Sequence, residues 1–175
     1  IPYGIYDFTI ESDGLKRTPN YTVMSGDWMS GAVKRDKFYG IRNINMFGQL
    51  TGVVNCEVDL KSYTNLREVI AEEPSFELLP SAMTYDPTSG EIYGVFYNAD
   101  LTGLNWARYD TRNLEVDIIC RFGGKFNVLA IGATPDGTMY AISTDGDLYT
   151  INKKNARVSL IGNTGVNVAA YTQTM

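Results

Sequence analysis

Apolar and polar residues along the chain alternate in short runs, and the runs are cut by clusters of Asp, Asn, Gly and Pro. Apolar positions seldom recur at three and four over more than two turns, so helices are nearly absent from the expectation. One stretch competes: Asn65 placed to cap Leu66–Glu73, with Leu66, Val69 and Ile70 on one face and Pro74 as a stop. Elsewhere the β-branched and aromatic runs have the length and spacing of strands. Ser81–Val95 reads as strand, turn, strand, with Asp86-Pro87 opening the turn and Gly90 tolerant of positive φ. Leu129–Thr134, Pro135-Asp136-Gly137 and Thr138–Ile142 repeat the pattern around an Asp-Gly hairpin signal. Gly31–Ile41 is a third copy with a more charged turn.

Each hairpin is followed by two more strands. They are Val53–Leu60 and Leu66–Ile70, then Trp106–Asp110 and Leu114–Arg121, then Asp147–Asn152 and Ala156–Gly162. Tyr39, Tyr93 and Tyr140 mark the second strands at separations of 54 and 47 residues, and alternation sets Phe38, Ile92 and Met139 on the opposite face. Asp59, Asp110 and Asn152 close the third strands, 51 and 42 residues apart. A four-stranded unit repeating at this period is the pattern of a propeller blade. The expectation is an all-β chain of β-propeller blades in one partial domain over 1–175. Three complete four-stranded antiparallel blades fall at about 29–72, 80–122 and 127–162, with partial blades at both ends. Ile5–Ile10 and Tyr21–Met24 would be outer strands of a preceding blade, and Val168–Met175 an inner strand of a following one.

The run "A-x-x-Y-D-P-x-S-G-x-I-Y-G-V", a strand ending in Asp, and "V-x-L-I-G-N-T-G" resemble blades of bacterial β-propellers of the broad YVTN, NHL and kelch-like kind. The resemblance covers roughly residues 29–175 and is greatest to secreted proteins and surface lipoproteins. It implies a bacterial secreted, periplasmic or cell-surface location and a chain forming part of a longer propeller. Exposed blade faces would then be covered by further blades, a second copy, or pairing of the two ends.

The chain has no histidine, which excludes Ser-His-Asp and Cys-His nucleophiles, HExxH metal sites and proximal-His haem. A net charge of -5 argues against nucleic acid as a partner, and no apolar run reaches the length of a membrane span. Cys56 and Cys120 are two small hydrophobes or one fold-dependent disulfide. Propeller glycosidases use paired carboxylates, which brings Asp86, Glu91 and Asp136 forward, yet turn chemistry accounts for all three. Thr144–Asp147 lacks the ligand series of a calcium loop and reads as a hairpin turn. No cofactor fingerprint is present, and no metal or cofactor is expected.

What remains is recognition of a protein, peptide or glycan on the face formed by the strand 2–3 loops and the interblade loops. These are 43–49, 98–105 and 144–146, together with 72–79, 123–127 and 163–167. Phe47, Phe76, Asn98 and Phe126 are the candidate binding residues, the phenylalanines being equally suited to sealing contacts between blades. The alternatives are part of a carboxylate-dependent glycoside hydrolase or lyase, and a purely structural module.

Overall fold

The computed structural model describes residues 8–12, 14–17, 27–46, 49–62, 64–71 and 79–165. A small hairpin pairs β1 (Phe8–Glu11) with β2 (Gly14–Arg17). Three antiparallel meanders follow, each with its strands side by side in chain order. Blade 1 comprises β3 (Asp27–Lys34), β4 (Lys37–Met46), β5 (Gln49–Asp59) and β6 (Thr64–Ala71). Blade 2 comprises β7 (Pro80–Asp86), β8 (Glu91–Tyr97), β9 (Leu104–Asp110) and β10 (Glu115–Arg121). Blade 3 comprises β11 (Val128–Ala133), β12 (Met139–Ser143), β13 (Asp147–Ile151) and β14 (Val158–Asn163). No helix occurs among the described residues.

One expectation needs revision and one ambiguity is resolved. The competing helical spacing at Leu66, Val69 and Ile70 loses to the expected fourth strand, because β6 runs alongside β5 from Thr64 to Ala71. The expected loop 43–49 is mostly strand. Asn43 and Asn45 alternate with Ile44 and Met46, and β4 and β5 stay paired out to Met46 and Gln49. The segments Tyr21–Met24 and Val168–Met175 lie outside the described residues.

Tyr39, Tyr93 and Tyr140 take one position in the three blades, opposite Ala32, Thr84 and Gly132 of the preceding strand. The first strand of every blade carries a bulge two to three residues beyond that tyrosine's level. The extra residues are Met29, Ser81 and Leu129. Fourth strands are bulged as well, at Leu66, Ile119 and Ile161, each an exposed apolar residue. A bulge on an outermost strand interrupts its free edge and so discourages pairing with another chain.

Packing follows the alternation. Tyr39 and Ile41 of blade 1 share a buried cluster with Ile92, Phe96 and Tyr109 of blade 2. The other face of blade 2, with Val95 and Trp106, packs on Met139, Ala141 and Ile151 of blade 3. Phe38 points the opposite way from Tyr39, onto Val54, Cys56 and Val58. The first strands lie together, β7 between β3 and β11, and the Ser81 hydroxyl donates to the Val128 carbonyl at 2.6 Å.

Three turns share one construction. Asp86, Asp110 and Asn152 each accept the N–H two residues on through the side chain and the N–H four residues on through the carbonyl. The fifth residues, Gly90, Leu114 and Ala156, are left-handed. The turns between third and fourth strands are gripped by the preceding blade. Arg67 of blade 1 donates to the carbonyls of Thr111 and Arg112, at 2.8 and 2.6 Å, while also binding buried Glu57. At the next seam the Lys153 carbonyl accepts the Trp106 indole N–H at 3.0 Å, and its ammonium meets buried Asp86 at 2.6 Å. Burial pushes the Asp86 carboxyl up, but Lys153, Ser89 and Thr88 outweigh it and hold it well below the usual range.

Asp86→Asn keeps the turn but leaves Lys153 without a counter-charge. We expect a loss of roughly 2 kcal/mol, under the usual cost of breaking a buried pair because Lys153 still reaches water. The folded pKa of Asp86 lies below its ordinary 3.8, so its stabilisation is complete above about pH 5 and disappears as pH falls. The difference in melting temperature between wild type and Asp86→Asn should therefore shrink from pH 5 to about pH 2. A constant difference would show that the ion pair is not responsible.

A second expectation concerns Gly137, at φ +82°, where an added Cβ would stand 2.2 Å from the Thr88 hydroxyl oxygen of blade 2. Gly137→Ala should cost about 2–3 kcal/mol in chemical denaturation, combining left-handed strain with the clash. In a double-mutant cycle Thr88→Ala should return part of that loss. Strict additivity would mean that the two turns are not in contact.

Candidate functional site

At the opposite end of the strands from the hairpin turns, three segments enclose a groove of about 910 Å³ at the seam of blades 2 and 3. They are the β8–β9 loop (98–103), the β10–β11 connection (122–127) and the β12–β13 turn (144–146). All three belong to the loop-rich face anticipated from the sequence.

The β8–β9 loop is stiffened from within. Asn98 accepts the Gly103 N–H on its side-chain oxygen at 3.0 Å and donates its amide to the Thr102 hydroxyl at 3.2 Å. Its backbone also pairs with Gly103, and its carbonyl accepts the Leu101 N–H. Asp100 accepts both the Thr102 N–H and its hydroxyl, which lowers its carboxyl pKa, with the Arg121 charge adding to the effect. These bonds hold Leu101 at the tip with φ +59° and half its surface exposed. Asn98 thus shapes the loop that walls the groove.

The opposite wall rests on an aromatic chain that crosses the seam. Tyr93 stacks on Trp106 at 5.3 Å, Trp106 leads to Phe122, and Phe122 meets Phe126 edge-on at 5.9 Å. Phe126 stacks on Tyr149 of blade 3 at 4.1 Å. Phe126 therefore lines the groove and also fastens the interblade connection to blade 3. Phe47 and Phe76 lie outside the described residues, so only Asn98 and Phe126 of the four candidates are placed, on facing walls.

Arg121 and Lys125 were not singled out from the sequence. Both are exposed and both line the groove. The Arg121 guanidinium lies across Gly103, where a Cβ would stand 3.1 Å from Nη2, so the absence of a side chain there lets it extend over the loop. Their readable signal was two cations bracketing Phe122-Gly123-Gly124 in an acidic chain.

The carboxylates considered for glycoside chemistry stand elsewhere. Asp86 is committed to its turn and Lys153, and Asp136 accepts from Thr134 and Thr138 in the β11–β12 turn. Glu91 begins β8 beside the Asp86 turn. Both cysteines are free thiols. Cys56 is buried in blade 1, where burial pushes its thiol up to about 11, and Cys120 is half-buried on β10. Among the described residues no helix is long and apolar enough to cross a membrane.

No family profile and no curated protein matches the chain. Solved structures do. A Bacteroides thetaiotaomicron protein of unknown function aligns with TM-score 0.56 and 14% identity over 84% of this chain and 35% of its own. The extracellular domain of a hybrid two-component system from the same organism aligns with TM-score 0.48 and 13% identity, over 91% and 21% respectively. The Cps50 (Swd1) β-propeller domain of Myceliophteria thermophila gives 0.45 and 12%, over 83% and 42%. The chain thus spans about a third of the length of the first of these proteins and less than half of the others. Identities this low speak to fold alone. Successive four-stranded meanders with their first strands together, each packed face to face on the next, make the chain an all-β protein built of β-propeller blades.

Proposed function

We propose that the chain is a noncatalytic recognition module of a secreted or cell-surface bacterial protein, binding a protein, peptide or glycan in the groove at the blade 2–3 seam. The observation that carries this reading is the groove itself. Its volume is typical of sites that enclose a small ligand or a few residues of a chain, and its walls combine exposed apolar and charged side chains with internally braced loops. Asn98 and Phe126 act by holding the two walls, and Leu101 offers an apolar contact between them. The secreted setting rests on the resemblance of the hairpin repeats to secreted and surface propellers.

The test is to display the chain to peptide and glycan arrays and to fill the groove by Thr144→Trp, a half-exposed position on its rim. Bound ligands should be lost at least about tenfold, roughly 1.4 kcal/mol, with the melting temperature unchanged. Leu101→Ala should weaken the same ligands to a smaller extent. Retention of every ligand by Thr144→Trp would place recognition elsewhere, and turnover of a bound glycan would favour the hydrolase alternative.

A further inference from the structure

We propose that the ligand of this groove is a carboxylate-bearing peptide, an extended segment with Asp or Glu beside a large apolar side chain. The inference rests on the groove being the recognition site and adds the chemistry of what enters it.

The first support is the pairing of cations. Lys37, Arg42, Lys61, Arg67, Arg108 and Lys153 all make ion pairs within 4 Å. Among the described residues Arg121 and Lys125 make none, which they share with Lys34, Arg35, Arg112, Lys154 and Arg157, but they are the two that line the groove, in a chain with 20 acidic and only 15 basic side chains. Two unpaired cations on one groove are therefore a local departure from the charge of the chain. The opposing charges nearby are Asp145, which also lines the groove but makes no ion pair with either cation, and Asp100, which is engaged by Thr102. The Arg121 fork remains open to a carboxylate, which it can bind through two parallel N–H donors.

The second support decides between peptide and sugar. Glycan sites present aromatic ring faces as platforms, whereas here the groove's phenylalanines are turned to each other and to Tyr149. The apolar group that does project is aliphatic Leu101, on a rigid loop tip. An aliphatic contact beside two cations suits a peptide with mixed acidic and apolar side chains.

Fluorescence polarisation with blocked hexapeptides alternating Asp or Glu with Leu or Phe tests this directly. The controls are the same peptides with Asn and Gln, and an oligogalacturonate as an acidic glycan. Acidic peptides should bind at least about tenfold more tightly than their amide counterparts. They should lose about tenfold with Arg121→Gln/Lys125→Gln and weaken several-fold from 50 to 500 mM salt. Both substituted side chains are exposed, so the fold is retained and melting curves check it. Equal binding of amide peptides, unchanged affinity of the double variant, or no binding of any acidic peptide would overturn the inference. Binding of oligogalacturonate alone would replace the peptide by an acidic sugar. The groove reading fails separately, if Thr144→Trp leaves an array ligand in place.

Discussion

The sheet of blade 2 buries both of its faces, and the rest of the arrangement depends on that. Ile92 and Phe96 point one way and Val95 and Trp106 the other, and all four are fully buried. A four-stranded sheet with apolar side chains on both sides has no stable form alone in water, because each face demands a neighbour. Blade 1 supplies one through Tyr39 and Ile41, and blade 3 supplies the other through Met139 and Ala141. The tyrosine–apolar pair on the second strand of blade 2 therefore serves as a two-sided packing code. Ile92 faces blade 1 and Tyr93 faces blade 3.

Apolar burial is not directional, so it does not by itself fix how two sheets are rotated against each other. The polar contacts at the seams do. Arg67 and Lys153 reach opposite polarity partners in different ways, yet both bind the turn between third and fourth strands of the later blade to the blade before it. Glu57 steadies Arg67 from within blade 1. Burial pushes its carboxyl up, and the bonds from Lys37 and Arg67 more than reverse this, so the buried charge is kept. Ion pairs of this kind add modest net stability, but misplacing one leaves a buried charge alone. Their effect at the seams is to penalise wrong registers.

The hairpins and second-strand tyrosines were legible because a period of two and an Asx turn are local properties of sequence. Asp59, Asp110 and Asn152 stood out for the same reason, and Asp110 and Asn152 anchor identical five-residue turns. Bulges left no such trace, since Ser81 and Ile119 look like any strand residue until a partner strand counts past them. Loop 43–49 was misread because two asparagines resemble a turn when the opposing strand is not considered. Half of the candidate site was legible in the same sense. Asn98 and Phe126 were visible as candidates on connections, whereas the placing of Arg121, Lys125 and Asp145 around one groove depends on two blades coming together.

That dependence has a consequence for how such a groove works. Its floor is the interblade seam, and one wall is fixed by the Phe126–Tyr149 stack, whose members come from the interblade connection and from blade 3. The other wall belongs to blade 2, braced by Asn98 and Asp100 within a single loop. Neither blade alone presents both walls, so the width of the groove is set by the same side chains that set the seam. A ligand bridging the walls favours the packed seam over any loosened form by its binding free energy. The groove and the blade packing here draw on one set of contacts, which ties the loop face to the scaffold beneath it more closely than in a groove carried on a single loop.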